Sequence, residues 1–366
     1  MSDTQFVPRW ASPPGDTIRE ALAVRNLDKE TLVEELGLHP DALGALLEGS
    51  TPMTIRLADQ LALVVGGSVE FWMTRDGQYR ADLQRVAADR WAMELPVSDM
   101  AAMGWIKDPG ADWEDRIDVC LEFFDVEDVA SWEEAHASLL AKTRFRSSRT
   151  LHANDHAVAA WLRQCQIELS QIDCAPFDRS ALEDLLPNLR PLTLKRDPAD
   201  FLPALRRECA DVGVAFGVVK PPARCPISGV AWRLQSGQPS IALTGRHRAD
   251  DHFWFSFFHE AAHLVLHDSD TVYLDEIEVG TEPAHDSDEA AADSFAGELL
   301  VPPRYESAVY AARRKPLELR RLSKEIGVSL GVLVGHLQHR GALGYRTRLN
   351  RLKHRYKWNG TILEKA

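Results

Sequence analysis

Residues 253–266 have the sequence FWFSFFHEAAHLVL, a strongly apolar run that contains His259, Glu260 and His263. The run predicts a helix, and two histidines four residues apart on a helix share one face, so both imidazoles can bind one metal ion. This composition gives roughly 0.03 chance matches per chain. The alternative is a pair of ordinary core histidines, but each buried polar group without a partner costs about 1–3 kcal/mol. We therefore interpret the pattern as a metal site.

A catalytic zinc ion needs a third protein ligand and one position left open for water. His267 is near in sequence, but it lies eight residues from His259, which is about 12 Å along a helix and too far to share an ion. Glu289 and Asp293 lie on one face of a second predicted helix. This spacing favours Glu289 as the third ligand and Asp293 as the acceptor of a ligating histidine's free ring N–H. The alternative is a solvated, acidic helix start.

Glu260 is adjacent to a ligand but points away from the metal-binding face, which suits it to proton transfer. A metal ion held by these ligands lowers the pKa of a water molecule, and Glu260 can accept its proton and pass it to the leaving amine. The predicted reaction is peptide-bond hydrolysis. The ligand set favours zinc, and manganese or iron can occupy the same site depending on supply.

The composition is that of an ordinary globular protein with several domains. At about 150 residues per domain, 366 residues predict two or three domains. No apolar run approaches the roughly 18 residues of a membrane helix, which excludes a membrane protein. No basic segment followed by an apolar run begins the chain, and the five cysteines form no Cys-x-x-Cys pair, so we expect a reduced, cytoplasmic protein.

The rest of the sequence predicts a mainly α fold with a small β-sheet, in the α+β class. Residues 212–219 are rich in β-formers, and residues 229–234 and 240–244 flank a turn as a hairpin. One of these strands could carry an edge that pairs with an extended substrate. Elsewhere apolar residues recur at helical spacings. The first helix is predicted to begin at the capping-box sequence Thr17-Ile18-Arg19-Glu20.

Four segments follow from these patterns. We expect a compact helical domain at residues 1–90, a helical connector at 91–190, the metal-binding core at 191–305 and a basic helical subdomain at 306–366. From residue 304 onward the sequence has 15 Lys/Arg and 4 Asp/Glu, a net charge of +11, whereas the remainder carries −24. This basic segment either meets nucleic acid or docks on an acidic surface of the same protein.

The sequences DDHFWFSFFHEAAH at 250–263 and ADSFAGELLVP at 292–302 resemble the ImmA/IrrE family of metallopeptidases. The resemblance implies a gluzincin-like fold in which His259, His263 and Glu289 are ligands and Glu260 is the base. It also implies that the substrates are DNA-bound repressors, cleaved in a stress or mobile-element response. This sequence departs from the family pattern at Ala262, Ala291 and Gly297, and none of these changes removes a ligand.

Three N-terminal stretches look like the Cro/C1-type helix-turn-helix of the XRE family, as found in HigA-like antitoxins. They are GLHPDALGALLEG at 37–49, MTIRLADQLA at 53–62 and GSVEFW at 67–72. Similar proteins fuse such a domain to a peptidase-like one. The resemblance implies a regulatory domain that binds DNA or another protein.

The charge of this first domain does not favour DNA. The segment in the position of a recognition helix, residues 39–48, contains no Lys or Arg, and residues 1–90 hold 9 Lys/Arg against 14 Asp/Glu. Lys29, His39 and Arg56 are the candidate DNA contacts, and a homodimer would double them. The alternative is a domain that pairs with another helix-turn-helix protein or with a toxin.

The leading hypothesis is a zinc-dependent metallo-endopeptidase coupled to a helix-turn-helix domain that binds DNA or regulates. Its partner is a protein substrate, such as a helix-turn-helix repressor. The alternative is a transcriptional regulator of the XRE family whose peptidase-like domain senses a ligand or metal without hydrolysis. A third hypothesis is an antitoxin that neutralises a toxin by direct contact.

Overall fold

The computed structural model describes residues 8–145, 155–267, 272–276 and 287–366. The protein divides into two compact units, one of residues 1–94 and 110–118 and one of residues 95–109 and 119–366. Helices dominate and two small sheets accompany them, which confirms the predicted mainly α, α+β class. None of the described helices is long and apolar enough to cross a membrane.

The first unit is helical. Its helices are α1 (Pro14–Arg25), α2 (Lys29–Leu36), α3 (Pro40–Leu47), α4 (Ile55–Val65) and α5 (Val69–Glu94). Their apolar faces form one core that includes Leu32, Leu46, Leu61 and Trp72. The backbone turns from α2 into α3 at Gly37, whose positive φ of 60° suits a residue without a side chain. Two short helices joined by a tight turn are therefore built into this unit.

The start of α1 differs from the prediction. The helix begins at Pro14, one turn before the capping-box sequence at Thr17, and Pro13 stands at its N-cap. A proline in the first turn loses no helix hydrogen bond, because the first amides of a helix have no partner within it. The two prolines therefore mark the helix start better than the Thr-Glu pair.

The second unit combines helices with a five-stranded sheet and a terminal hairpin. Its helices are α6 (Val97–Ala102), α7 (Trp113–Phe124, whose first turns belong to the first unit), α8 (Val129–Lys142), α9 (Asp155–Leu169), α10 (Arg179–Leu185), α11 (Pro198–Asp211), α12 (Asp250–Leu266), α13 (Ser287–Leu300), α14 (Pro303–Ala311), α15 (Pro316–Ile326) and α16 (Leu330–His339), with 3-10 helices at Leu186–Leu194 and Arg348–Leu352. Its strands are β1 (Thr143–Phe145), β2 (Ala215–Val218), β3 (Ile227–Arg233), β4 (Pro239–Leu243), β5 (Val272–Glu276), β6 (Tyr356–Asn359) and β7 (Ile362–Lys365).

The main sheet has the strand order β1-β5-β3-β4-β2. Strands β3 and β4 form the predicted antiparallel hairpin, and β2 pairs parallel with β4. Because β3 and β4 each have a neighbour on both sides, neither offers the free edge expected for binding an extended substrate. Within the described residues, β1 and β2 are the edges of this sheet.

Helices cover both faces of the sheet. Phe216 and Ile241 point to the face on which α12 packs, whereas the neighbouring residues Ala215 and Ala242 point to α9 and its buried Trp161. This alternation follows from the two-residue repeat of a strand. The strands are therefore apolar on both sides, and α12 is held against them as a central, buried helix.

The C-terminal segment completes the core around α12. Leu333 and Leu337 of α16 share an apolar cluster with Phe257 of α12. The segment ends in the antiparallel hairpin β6–β7, which was not expected from the sequence. Most cations of this segment, such as Arg320 and Arg321 on α15, are exposed. Its basic charge therefore lies mainly on the surface, while its apolar residues support the helix that carries the histidines.

Candidate metal centre

Helix α12 places His259 and His263 in a buried position. Both imidazoles project from one face, as the four-residue spacing predicts, and their Nε2 atoms lie 3.1 Å apart. Each residue is at most 2% exposed. The apolar residues on the remaining faces of α12 pack against the sheet and against α16, so the helix has little freedom to move.

Helix α13 packs along α12 and brings a carboxylate to the histidines. Glu289 Oε2 lies 3.1 Å from His259 Nε2, and Glu289 Oε1 lies 3.5 Å from His263 Nε2. Glu289 is buried and belongs to the first turn of α13. The three predicted ligands are thus brought together, with one donor atom from each residue within 4.8 Å of the others.

Asp293 stands one helical turn after Glu289 and contacts the other side of the same imidazole. Its Oδ1 lies 2.9 Å from His259 Nδ1. A carboxylate at this distance holds the ring proton on Nδ1 and leaves a lone pair on Nε2. That lone pair then faces a carboxylate oxygen of Glu289, and two acceptors at hydrogen-bond distance attract each other only through a shared cation.

These distances fit a metal ion. Tetrahedral ligand atoms about 2.0–2.1 Å from a zinc ion lie roughly 3.3 Å from one another. The three donor pairs described above are separated by 3.1, 3.1 and 3.5 Å. Two imidazoles and one carboxylate are ligands that zinc, manganese and iron accept. His259, His263 and Glu289 could therefore hold a metal ion, and geometry alone does not select which one.

Glu260 lies on another face of α12, against strand β3. The residue is 0% exposed, and its side chain lies over Gly229. A Cβ atom at position 229 would lie 2.6 Å from Glu260 Oε1 and 2.9 Å from Leu243 Cδ2, so only glycine leaves this room. Gly229 was not among the residues predicted from the sequence. A glycine inside a predicted strand was the available signal, because such a glycine often marks a close approach.

A buried polar network fixes the start of α12. Ser329 Oγ donates to Asp250 Oδ2 at 2.6 Å, and the backbone N–H of His354 donates to Asp250 Oδ1 at 3.0 Å. Lys353 Nζ forms a buried ion pair with Asp251. Burial raises the pKa of Asp250 to about 7. This network was not predicted from the sequence, and only the fold reveals it, because its partners are some 80 to 100 residues apart.

Two glycines let these carboxylates approach α16. A Cβ at Gly331 would overlap the carboxylate of Asp250, and a Cβ at Gly335 would lie 2.5 Å from Asp251 Cβ. Small residues four apart on one helix thus accept two consecutive aspartates of another. The contact ties the metal-binding helix to the C-terminal segment.

The remaining predicted site residues lie elsewhere. Lys29, His39 and Arg56 are exposed on the first unit, and His39 caps α3 through its Nδ1 atom, which accepts from the backbone N–H of Asp41. Their role in DNA binding stays a prediction. His267 follows the end of α12, and its Nδ1 lies 3.9 Å from Asp288 Oδ1.

Residues 227–337 match the family model Peptidase_M78, described as the IrrE N-terminal-like domain. The matched segment begins at β3, ends in α16 and contains the whole His-His-Glu cluster together with Glu260. The protein therefore contains a metallopeptidase-like domain, and the resemblance to the ImmA/IrrE family is confirmed for this part. Among curated proteins and among solved structures, no match to the sequence is found. The helix-turn-helix assignment of the first unit stays a prediction.

Proposed function

We propose that the protein is a zinc-dependent endopeptidase in which His259, His263 and Glu289 hold the metal ion. The observation that carries the proposal is the convergence of these three buried donors at the separations of a zinc site. When bound there, a zinc ion supplies Lewis acidity that polarises a peptide carbonyl and acidifies water. The match of residues 227–337 to a peptidase family supports the same conclusion.

Glu260 is the proposed general base. Its carboxylate lies beside the ligands on a rigid helix and is packed against β3, which fixes its position. There it can accept a proton from water and return it to the leaving amine. Asp293 keeps the imidazole of His259 in one orientation and one tautomer.

We also propose that the first unit is a regulatory helix-turn-helix domain and that the substrate is a repressor-type protein. The short helices α2 and α3, joined at Gly37, support the first part, and the resemblance to the ImmA/IrrE family supports the second. Lys29 and Arg56 are exposed cations available to phosphates. If they contact DNA, changing both to Gln lowers DNA affinity and makes the salt dependence of binding less steep.

The test compares wild type, Glu260→Gln and the control Glu298→Gln, which changes an exposed glutamate on α13. Each purified full-length protein is loaded with zinc and incubated with a proteome-derived peptide library, and new termini are identified by mass spectrometry. We expect about one zinc per protein molecule in all three cases and new termini only with wild type and Glu298→Gln.

Two outcomes contradict the proposal. Equal cleavage by Glu260→Gln removes Glu260 from the reaction. No cleavage by a zinc-loaded wild type favours the non-hydrolytic regulator. Loss of zinc from Glu289→Ala, measured by elemental analysis, tests the ligand set independently of any substrate.

A further inference from the structure

A small pocket lies beside Glu260, between the start of α12 and strands β3 and β4. Ser228, Leu243, His252 and Ser256 line it, together with the loop 245–249. Ser256 precedes Glu260 by four residues, so both project from the same side of α12, about 6 Å apart along the axis. Ser228 precedes Gly229, over which Glu260 lies. The pocket therefore adjoins the proposed catalytic site.

A β-bulge directs Ser228 toward this pocket. The pairing of β3 with β5 shifts between Ile227 and Gly229, which makes Ser228 the extra residue. Its backbone oxygen accepts from the backbone N–H of Thr244 at 2.9 Å. The side chain is 4% exposed, and its Oγ has no hydrogen-bond partner among the described residues. Because such a buried hydroxyl costs about 1–3 kcal/mol, it is a donor suited to a ligand.

Basic side chains surround the same pocket. The guanidinium of Arg246 donates to the backbone oxygen of Pro226, two residues before Ser228. The rings of His247 and His252 stack with centroids 4.2 Å apart, and Arg248 lies between them in sequence. These groups favour an anionic ligand, which the start of a long helix also attracts.

The nearby carboxylates are engaged away from the pocket. Asp250 accepts from Ser329, and Asp251 pairs with Lys353, which lies in the C-terminal segment. Asp251 Oδ2 also lies 3.8 Å from His252 Nε2. The acidic residues at the start of α12 therefore leave the positive character of the loop 245–249 largely uncompensated.

We propose that this pocket binds a carboxylate group of the peptide substrate and that Ser228 and Arg246 determine this specificity. The inference rests on the proposed peptidase function, because the pocket continues the face of α12 that carries Glu260. The carboxylate belongs either to an acidic side chain or to the C-terminus of a peptide. Both present the same acceptor oxygens to a hydroxyl and a guanidinium.

The experiment measures binding to the full-length, metal-free protein, so that no metal ion can capture a carboxylate. The probes are N-acetylglutamate α-methylamide, its glutamine counterpart and N-acetylalanine, each titrated by ligand-observed NMR. The variants are Ser228→Ala and Arg246→Gln. The control is Arg233→Gln, another exposed arginine that donates to a single backbone oxygen, that of Gly237.

We expect at least one carboxylate probe to bind roughly tenfold or more tightly than the glutamine compound, since a hydrogen bond to a charged group contributes about 1.5–3 kcal/mol. Ser228→Ala and Arg246→Gln should each remove most of this preference, and the control should keep it. Preference for the glutamate compound identifies a side-chain carboxylate, and preference for N-acetylalanine identifies a C-terminus. Equal binding of all three probes, or of all variants, overturns the proposal. Because no metal or cleavage is involved, this failure is distinct from a failure of the peptidase assignment.

Discussion

Replacing Gly229 by alanine tests whether β3 sets the position of Glu260. The added Cβ would lie 2.6 Å from Glu260 Oε1, 2.9 Å from Glu260 Cγ and 2.9 Å from Leu243 Cδ2. Favourable contacts to carbon begin at about 3.5 Å, so the neighbours must move by roughly 0.5–1 Å. Overpacking of this kind costs about 1–3 kcal/mol of the free energy of unfolding. A shift of about 1 Å in a catalytic group can also lower activity about 100-fold.

A double-mutant cycle separates the contact with Glu260 from the contact with Leu243. Glu260→Ala removes Cγ and the carboxylate, so the cost of Gly229→Ala should fall by about 1–2 kcal/mol in that background. The free energy of unfolding is measured by urea denaturation followed by tryptophan fluorescence, with a chelator present so that metal binding does not contribute. Gly344→Ala is the control, because a Cβ there meets no atom within 4 Å.

The result that refutes this reasoning is an equal cost of Gly229→Ala with and without the Glu260 side chain. Such a result would mean that β3 does not position the carboxylate. The cycle depends on stability alone, so it can be completed before any substrate is known.

Three further perturbations follow from contacts around α12. Asp293→Asn should weaken zinc binding about 10–100-fold in a chelator competition, because it weakens the acceptor of His259 Nδ1; unchanged affinity would argue against that role. Burial raises the pKa of Asp250 to about 7, well above the usual value of an aspartate, so the folded state binds this proton more readily than the unfolded state. Its contribution to the free energy of unfolding is therefore lost as pH rises from about 4 to 7, by at most about 1.4 kcal/mol per pH unit, and denaturation of Asp250→Asn over this range should lack that slope. Lys353→Met leaves Asp251 buried without its cation and should cost about 3–5 kcal/mol, part of which a second change, Asp251→Asn, recovers; no recovery in urea denaturation would mean that the pair is not coupled.

The metal-binding residues could be predicted from sequence because their geometry is local. Four residues along a helix bring His259 beside His263, and the same spacing brings Glu289 beside Asp293 on a second helix. Coordination chemistry then links the two predicted helices, since two histidines on a metal require a third donor. The β3–β4 hairpin was similarly local, because a short polar turn separates two strand-forming segments.

The residues that support the site could not be predicted, because each depends on a distant partner. Nothing near Gly229 in sequence indicates that a glutamate will lie over it. Lys353 is one cation among many in a basic segment, and only the packing of α16 on α12 shows that it is buried against Asp251. The prediction of an accessible strand edge failed for the same reason, because strand order in a sheet is a long-range property.

The support of α12 explains why the C-terminal segment lies within the peptidase unit. A helix with two aspartates at its start has a large desolvation cost unless both find partners. Those partners come from Ser329 and Lys353, and Gly331 allows the necessary close approach. The family match ends at residue 337, inside α16, so the docking helix is included in the matched domain. We therefore interpret the charges of the C-terminal segment in two groups, a buried one that holds the metal-binding helix in place and an exposed one that is available to partners.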